Sequence, residues 1–279
     1  MPARYPVSSG SRGFTLVELV VVIVVFGIIA YLGAVLIGNF VGGYVGASRR
    51  QELASAGRLA VERMTREIHR ALPNSVRVSG AGSQVTFLRV AVGGRYQAVG
   101  APASRLQTYP GNPGDETFVA YGLSGLDAAS HQLTVYPLDA DALYADLGAT
   151  VSGPRARIQD AGGAVGNGAR SIRLASGDDF ARQSPQRRIQ AVDGVVSFCY
   201  VASRDGLYMA LNPPGAVPDT SCDQSDHLLI RPVSRVRFRY REGTQARAGL
   251  VRFYLQVRDP GNPGESVDFQ QEVHVRNVP

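Results

Sequence analysis

Between Phe14 and Ser48 the chain has one side chain that is charged at neutral pH, Glu18. A bilayer is crossed by about 20 consecutive apolar residues, and this run is longer than that. It therefore predicts a single membrane-spanning helix near the start of the chain. The residues beyond it are numerous enough for one sizeable domain with its own core. An acid inside such a run needs a reason, because a charged group at mid-membrane costs on the order of 2.5–3.5 kcal/mol on insertion scales.

The first twelve residues contain Arg4 and Arg12 and no acid, which assigns the short N-terminal end to the cytoplasmic side. Arg49 and Arg50 lie beyond the reach of the bilayer along a helix rising 1.5 Å per residue. An ordinary secretory signal has a short apolar core followed by a small-residue cleavage site. Here the small polar stretch SSGSRG precedes the apolar run. A cut after Gly13 would leave the whole hydrophobic segment on the mature chain.

The stretch G-F-T-L-V-E, followed by an apolar helix, resembles the leader and anchor of type IV pilins and type II secretion pseudopilins. The resemblance implies cleavage after Gly13 by a prepilin peptidase and N-methylation of the new terminal residue, Phe14. It also implies that Glu18, four residues beyond Phe14, pairs with the terminal amine of a neighbouring subunit. Such a pair would answer the question Glu18 raises, because partial burial strengthens the attraction between opposite charges. Many pilins kink the anchor with a proline. This chain has none there, and Gly33, Gly38, Gly42 and Gly43 soften the same region at about 1 kcal/mol each.

The helical pattern continues past the anchor. Leu53, Ala60, Met64, Ile68 and Leu72 form one apolar stripe, with arginines and glutamates around the rest of the helix. Pro73 and Asn74 end it, with the last turn expected near Leu72. The predicted organisation is a leader at 1–13, a transmembrane half-helix at 14–45, an amphipathic half-helix at 46–73 and a β-rich extracytoplasmic head at 74–279. The fold class is α+β and type IV pilin-like: a long N-terminal transmembrane helix packed on an antiparallel β-rich head.

Within the head, short strands are predicted at 84–92, 116–122, 131–137 and 171–175. Residues 138–194 are rich in glycine, alanine and aspartate, and their fold is not legible. The last third is clearest. Val236, Phe238 and Tyr240 alternate with Arg235, Arg237, Arg239 and Arg241. Val251, Phe253, Leu255 and Val257 share a face, as do Phe269, Val273 and Val275. Period-two alternation of this kind predicts an antiparallel sheet wetted on one side. DPGNPGE at 259–265 is a strong turn signal, and a near copy stands at 109–115.

The two cysteines, Cys199 and Cys222, are free thiols if the head is cytosolic and a disulfide if it is exported. The exported location implied by the resemblance favours the bridge.

Other chemistry is sparse. His69, His131, His227 and His274 fall in no zinc-binding spacing, and no nucleophile elbow or phosphate loop is present. Neither a catalytic residue nor a cofactor is expected. Asp139, Asp141 and Asp146, and separately Asp219, Asp223 and Asp226, are candidate hard-cation clusters. Neither matches an EF-hand, so solvated loop acids are the expectation and no metal is assigned. A formal net charge of +6 over 279 residues is too thin to imply a nucleic-acid partner. The arginine row at 235–241 is read as a solvated or subunit-contacting face.

RLAVERMTREIHRALPNSVRV and the terminal QEVHVRNVP resemble the minor pilins of MSHA-type pili, the MshO group, and more widely J-type minor pseudopilins and PilW-like minor pilins. The implied role is priming or capping pilus assembly. The implied partners are other major and minor pilins, the inner-membrane assembly platform and the lipid bilayer. The implied location is a single pass through the inner membrane with a periplasmic head, and later the pilus tip. A secretion pseudopilin, or a tip adhesin or DNA-binding pilin, is the alternative.

Overall fold

The structure, a computed structural model, describes residues 13–97, 106, 117–144, 151–215, 222, 226–244, 247–262 and 264–275. The expected leader up to Arg12 and the turn at 109–115 lie outside these residues. Contacts group the residues up to Glu52 apart from those starting at Leu53.

Helix α1 spans Leu16–His69 without interruption, so the glycines do not break it. It ends slightly before the expected Leu72 because the next residues turn to a strand for their hydrogen bonds. Val90 N–H donates to the Arg70 carbonyl at 2.8 Å, and Leu72 N–H donates to the Leu88 carbonyl at 2.8 Å. From Leu53 onward the predicted stripe is the face that packs: Ala60, Met64 and Ile68 are buried, with Leu53 partly so. The gap in the stripe is filled by Gly57. A Cβ there would lie 2.2 Å from Cε2 of Phe269, so the ring sits directly on the helix backbone.

The strands of the head are β1 (Arg77–Val78), β2 (Gln84–Tyr96), β3 (Thr117–Tyr121), β4 (Gln132–Thr134), β5 (Val151–Gly153), β6 (Arg155–Asp160), β7 (Ala169–Leu174), β8 (Asp178–Phe180), β9 (Arg188–Val201), β10 (Gly206–Asn212), β11 (His227–Ile230), β12 (Val233–Arg241), β13 (Gly249–Arg258) and β14 (Ser266–Val275). A short helix, α2, covers Ala140–Tyr144. Every pairing is antiparallel except the small parallel pair of β5 with β8.

Strands β12, β13 and β14 form the sheet read from the final third, in that order. Val236, Phe238, Val251, Phe253, Leu255, Val257, Val273 and Val275 face the core, and the four arginines of β12 are exposed. The β13–β14 turn is held as its Asp-Pro-Gly sequence suggests. Gly261 N–H donates to Asp259 Oδ1 at 2.8 Å, and Asp259 N–H to the Glu265 carbonyl at 2.9 Å.

The strands expected at 84–92, 116–122, 131–137 and 171–175 are present as β2, β3, β4 and β7, and with β6 and β9 they build a closed structure. Strand β2 pairs with β3, β3 with β7, β7 with β6, β6 with β4, β4 with β9, and β9 with β2. Six strands thus close a ring, which removes free edges. Its interior holds Tyr96, Phe118, Leu133, Ile158, Ile172, Leu174 and Ile189.

The two long strands β2 and β9 serve both this ring and a second core. Their register slips at Arg89/Val90 and again at Val90/Val92. Such bulges bend a pair and re-aim its side chains. On one side of the bend, Val85, Phe87, Val196 and Phe198 pack with α1 and the three-stranded sheet. On the other side the same two strands line the ring. Leu72, Leu88, Val192 and Val195 form a third cluster, covered by Leu143 and Tyr144 of α2.

Polar groups lock this junction. The Ser75 hydroxyl donates to the Leu72 carbonyl at 2.8 Å and accepts from Leu88 N–H at 3.1 Å. The Tyr144 hydroxyl donates to the Ser75 carbonyl at 2.7 Å. At the bulge, Arg89 donates two hydrogen bonds to Asp193, at 2.8 and 3.0 Å, and lies 3.8 Å from the nearly buried Glu67 of α1. Burial pulls the Arg89 pKa down, but the bonds and charges of Asp193 and Glu67 leave it raised.

Candidate functional site: the N-terminal segment

Gly13, Phe14 and Thr15 precede the first turn of α1. All three are exposed, and the space beside Gly13 is open.

The helix begins with a cap. The Thr15 hydroxyl accepts from the Glu18 N–H at 3.3 Å, and the Thr15 carbonyl accepts from Leu19 N–H at 3.2 Å. Thr15 is therefore the N-cap and Glu18 the third helical residue, the spacing of a capping box. The role of Thr15 is absent from the sequence-based expectations, although the Thr-x-x-Glu spacing signals it. A carboxylate in the first turn is also favoured by the partial positive charge of the exposed N–H groups. Glu18 accordingly has a local role as well as any role between subunits.

Leu16–Ile37 is long and apolar enough to cross a membrane, and none of that window is buried against the rest of the chain. Phe14, Leu16, Ile23 and Phe26 are each more than 60% exposed. Apolar surface on this scale requires a cover from lipid or from other helices.

Residues 8–30 match the prokaryotic N-terminal methylation motif.

Over that segment the chain is type IV prepilin-like, and its α+β architecture of an N-terminal apolar helix with an antiparallel β-rich head agrees. Such a prepilin motif implies processing by prepilin peptidase and an assembly context shared with pilins. Neither a curated protein nor a solved structure matches the chain.

The head of this prepilin-like chain carries the disulfide. Cys199 on β9 and Cys222 are bonded, with Cα atoms 5.9 Å apart and a separation of 23 residues in sequence. Arg204 donates to the Cys222 carbonyl at 2.9 Å and stacks 4.2 Å over the Tyr208 ring.

The other candidates do not converge. Asp141 is ion-paired with Arg77, and Asp139 accepts the Asp141 N–H at 2.9 Å. Asp146, Asp219 and Asp223 lie outside the described residues, while Asp226 precedes β11. Among the described residues no three His, Cys, Asp or Glu side chains are grouped to hold a metal. His69 and His274 do meet, but through a ring nitrogen and a backbone carbonyl 3.2 Å apart, which fastens the end of α1 to β14. His131 lies in a local turn with Asp127 and Ser130.

Proposed function

We propose that this chain is a minor pilin: a structural subunit, not an enzyme, that is cut after Gly13 and N-methylated on Phe14. The observation that carries the reading is the methylation motif at residues 8–30 in register with a helix whose apolar surface its own chain leaves uncovered. Glu18 pairs with the Phe14 amine of a neighbouring pilin, which sets the register of packed helices. Insertion precedes assembly, so the protein first crosses the inner membrane once with its head in the periplasm, where Cys199 and Cys222 oxidise. The assembly platform then transfers it to a fibre, where it primes or caps at the tip. The large head supports a low-copy position at an end, since bulk is easier to accommodate there than in every layer. The MSHA-type minor pilins are the nearest reading of its role. A J-type secretion pseudopilin shares the same N-terminal chemistry and differs in the fibre it enters.

Glu18→Val tests this. The variant is expected to insert, to be cut after Gly13 and to be absent from sheared fibres, with Glu18→Asp partly restored. Wild-type incorporation of Glu18→Val would overturn the assembly role. A native protein whose mass requires any N-terminus other than methylated Phe14 would overturn the processing step.

A further inference from the structure

On the outer wall of the six-stranded ring, three neighbouring strands each contribute one residue to a transverse row. Tyr121 of β3 is the register partner of Arg95 of β2, and Arg95 is the partner of Arg188 of β9. Their chain neighbours Ala120, Tyr96 and Ile189 are buried in the ring interior. Alternation therefore sends Tyr121, Arg95 and Arg188 outward together.

Directly opposed residues on paired strands hold their Cβ atoms about 5 Å apart, and like charges so placed destabilise a sheet. Among the described residues no carboxylate forms an ion pair with Arg95 or Arg188. The contrast lies on the same strand. Arg89, six residues earlier, has Asp193 in a two-pronged bond.

The row opens onto a cleft of about 720 Å³ that is also lined by His69, Arg70, Gly93 and Gly94, with no Asp or Glu among the described residues that line it. Arg70 lies 4.0 Å from Glu67 and 3.9 Å from Asp193, so its charge is shared. Those of Arg95 and Arg188 are not. Gly94 cannot carry a side chain, because a Cβ would meet the Tyr121 carbonyl at 2.1 Å. That close approach brings Tyr121 to the arginines, and the ring stays 42% exposed.

We propose that this cleft binds an acidic saccharide, its carboxylate or sulfate group held between Arg95 and Arg188 and a sugar face resting on Tyr121. Guanidinium groups form paired bonds to such anions, and an anion there removes the repulsion that the row otherwise carries. Sequence-tolerant single-strand nucleic-acid grooves track a backbone and stack successive bases on several aromatics. Here two arginines stand side by side in one row with a single aromatic ring, which fits a compact acidic sugar better than a run of stacked bases. This inference does not rest on the pilin reading.

The test uses the full-length protein in detergent micelles. The probes are trigalacturonate (carboxylate), a heparin-derived tetrasaccharide (sulfate), maltotetraose (neutral) and a twelve-residue oligothymidylate. At least one acidic saccharide is expected to bind and maltotetraose not to, with binding weakened by added salt. Binding of trigalacturonate shows that a carboxylate suffices, whereas binding of the heparin fragment alone, which carries carboxylates as well, assigns recognition to sulfate. Arg95→Gln and Arg188→Gln should each weaken binding tenfold or more, while Arg237→Gln on β12 should not. Tyr121→Ala should weaken saccharide binding severalfold and leave inorganic sulfate binding unchanged. Without ligand, Arg95→Gln and Arg188→Gln should hold or raise the melting temperature. The proposal is overturned by acidic saccharides binding no better than maltotetraose, by unchanged binding in both arginine variants, by tighter binding of the oligothymidylate, or by a clear drop in melting temperature in both variants.

Discussion

The two ends of helix α1 obey the same backbone rules and differ in what covers their apolar side chains. Apart from Glu18, Leu16–Ile37 is apolar around the helix, and its membrane-length window is not buried against the rest of the chain. Past Leu53 the apolar residues narrow to one stripe, and that stripe is buried against strands of the head. A stripe indicates a partner within the same fold, whereas an all-round apolar surface indicates lipid or other subunits. One helix thus divides into a part that stabilises the head and a part whose partners are external.

The sharpest way to break this contrast is a pair of truncations. Met64→Ala, in the buried stripe, should cost the head about 2–5 kcal/mol, read as a lower denaturant midpoint. Ile23→Ala, in the exposed part, should leave that midpoint unchanged. Equal effects would erase the distinction between the two parts.

The disulfide offers a second comparison, because it acts on the head alone. Cys199→Ser with Cys222→Ser should lower head stability by about 3 kcal/mol for a loop of this length, while membrane insertion measured by fractionation stays the same.

Gly57 sharpens the contrast within α1 itself. Gly57→Ala places a methyl group into Phe269 and should destabilise the head by about 1–3 kcal/mol. Gly27→Ala, where nothing lies within 4 Å, should show no such loss. Combining Gly57→Ala with Phe269→Leu should recover part of the deficit if the ring is the obstacle.

The smallest expected effect concerns Tyr144. Burial raises the pKa of its phenol, against the smaller lowering effects of Arg77 and the bond to Ser75. A raised folded-state pKa means that the neutral group's contribution is complete below the unfolded value, about 10, and is lost as pH climbs above it. Tyr144→Phe should cost about 1 kcal/mol at neutral pH and flatten the alkaline fall in stability above pH ~10. A steeper alkaline fall in the variant would contradict the assignment.

Much of the candidate site was legible because its signals are local. Gly13, Phe14 and Glu18 stand within six consecutive residues, and the apolar run continues from them without a gap. Thr15 could have been read the same way, from its spacing to Glu18. The three final strands were also legible, since alternation along one strand reports which side is wet. The Cys199–Cys222 bridge was expected only through the exported location that the resemblance implies, because two cysteines by themselves fit free thiols equally well.

The middle of the head resisted for the opposite reason. Of its strands only β7 was expected, at 171–175; β5, β6 and β8 are three to six residues long, too short for length or alternation to mark them. Ring closure depends on β2 and β9 changing register at their bulges, and the partner strand decides that. The same holds for the meeting of Gly57 with Phe269, for the Glu67–Arg89–Asp193 cluster and for the row of Tyr121, Arg95 and Arg188. From the sequence alone came the membrane-length run, its single acid, the stripe and the wet-faced sheet, because hydrophobic periodicity is a property of neighbours along the chain. Tertiary structure alone decided which distant residues share a wall, because strand register between segments nearly a hundred residues apart is chosen by the packing of the whole core.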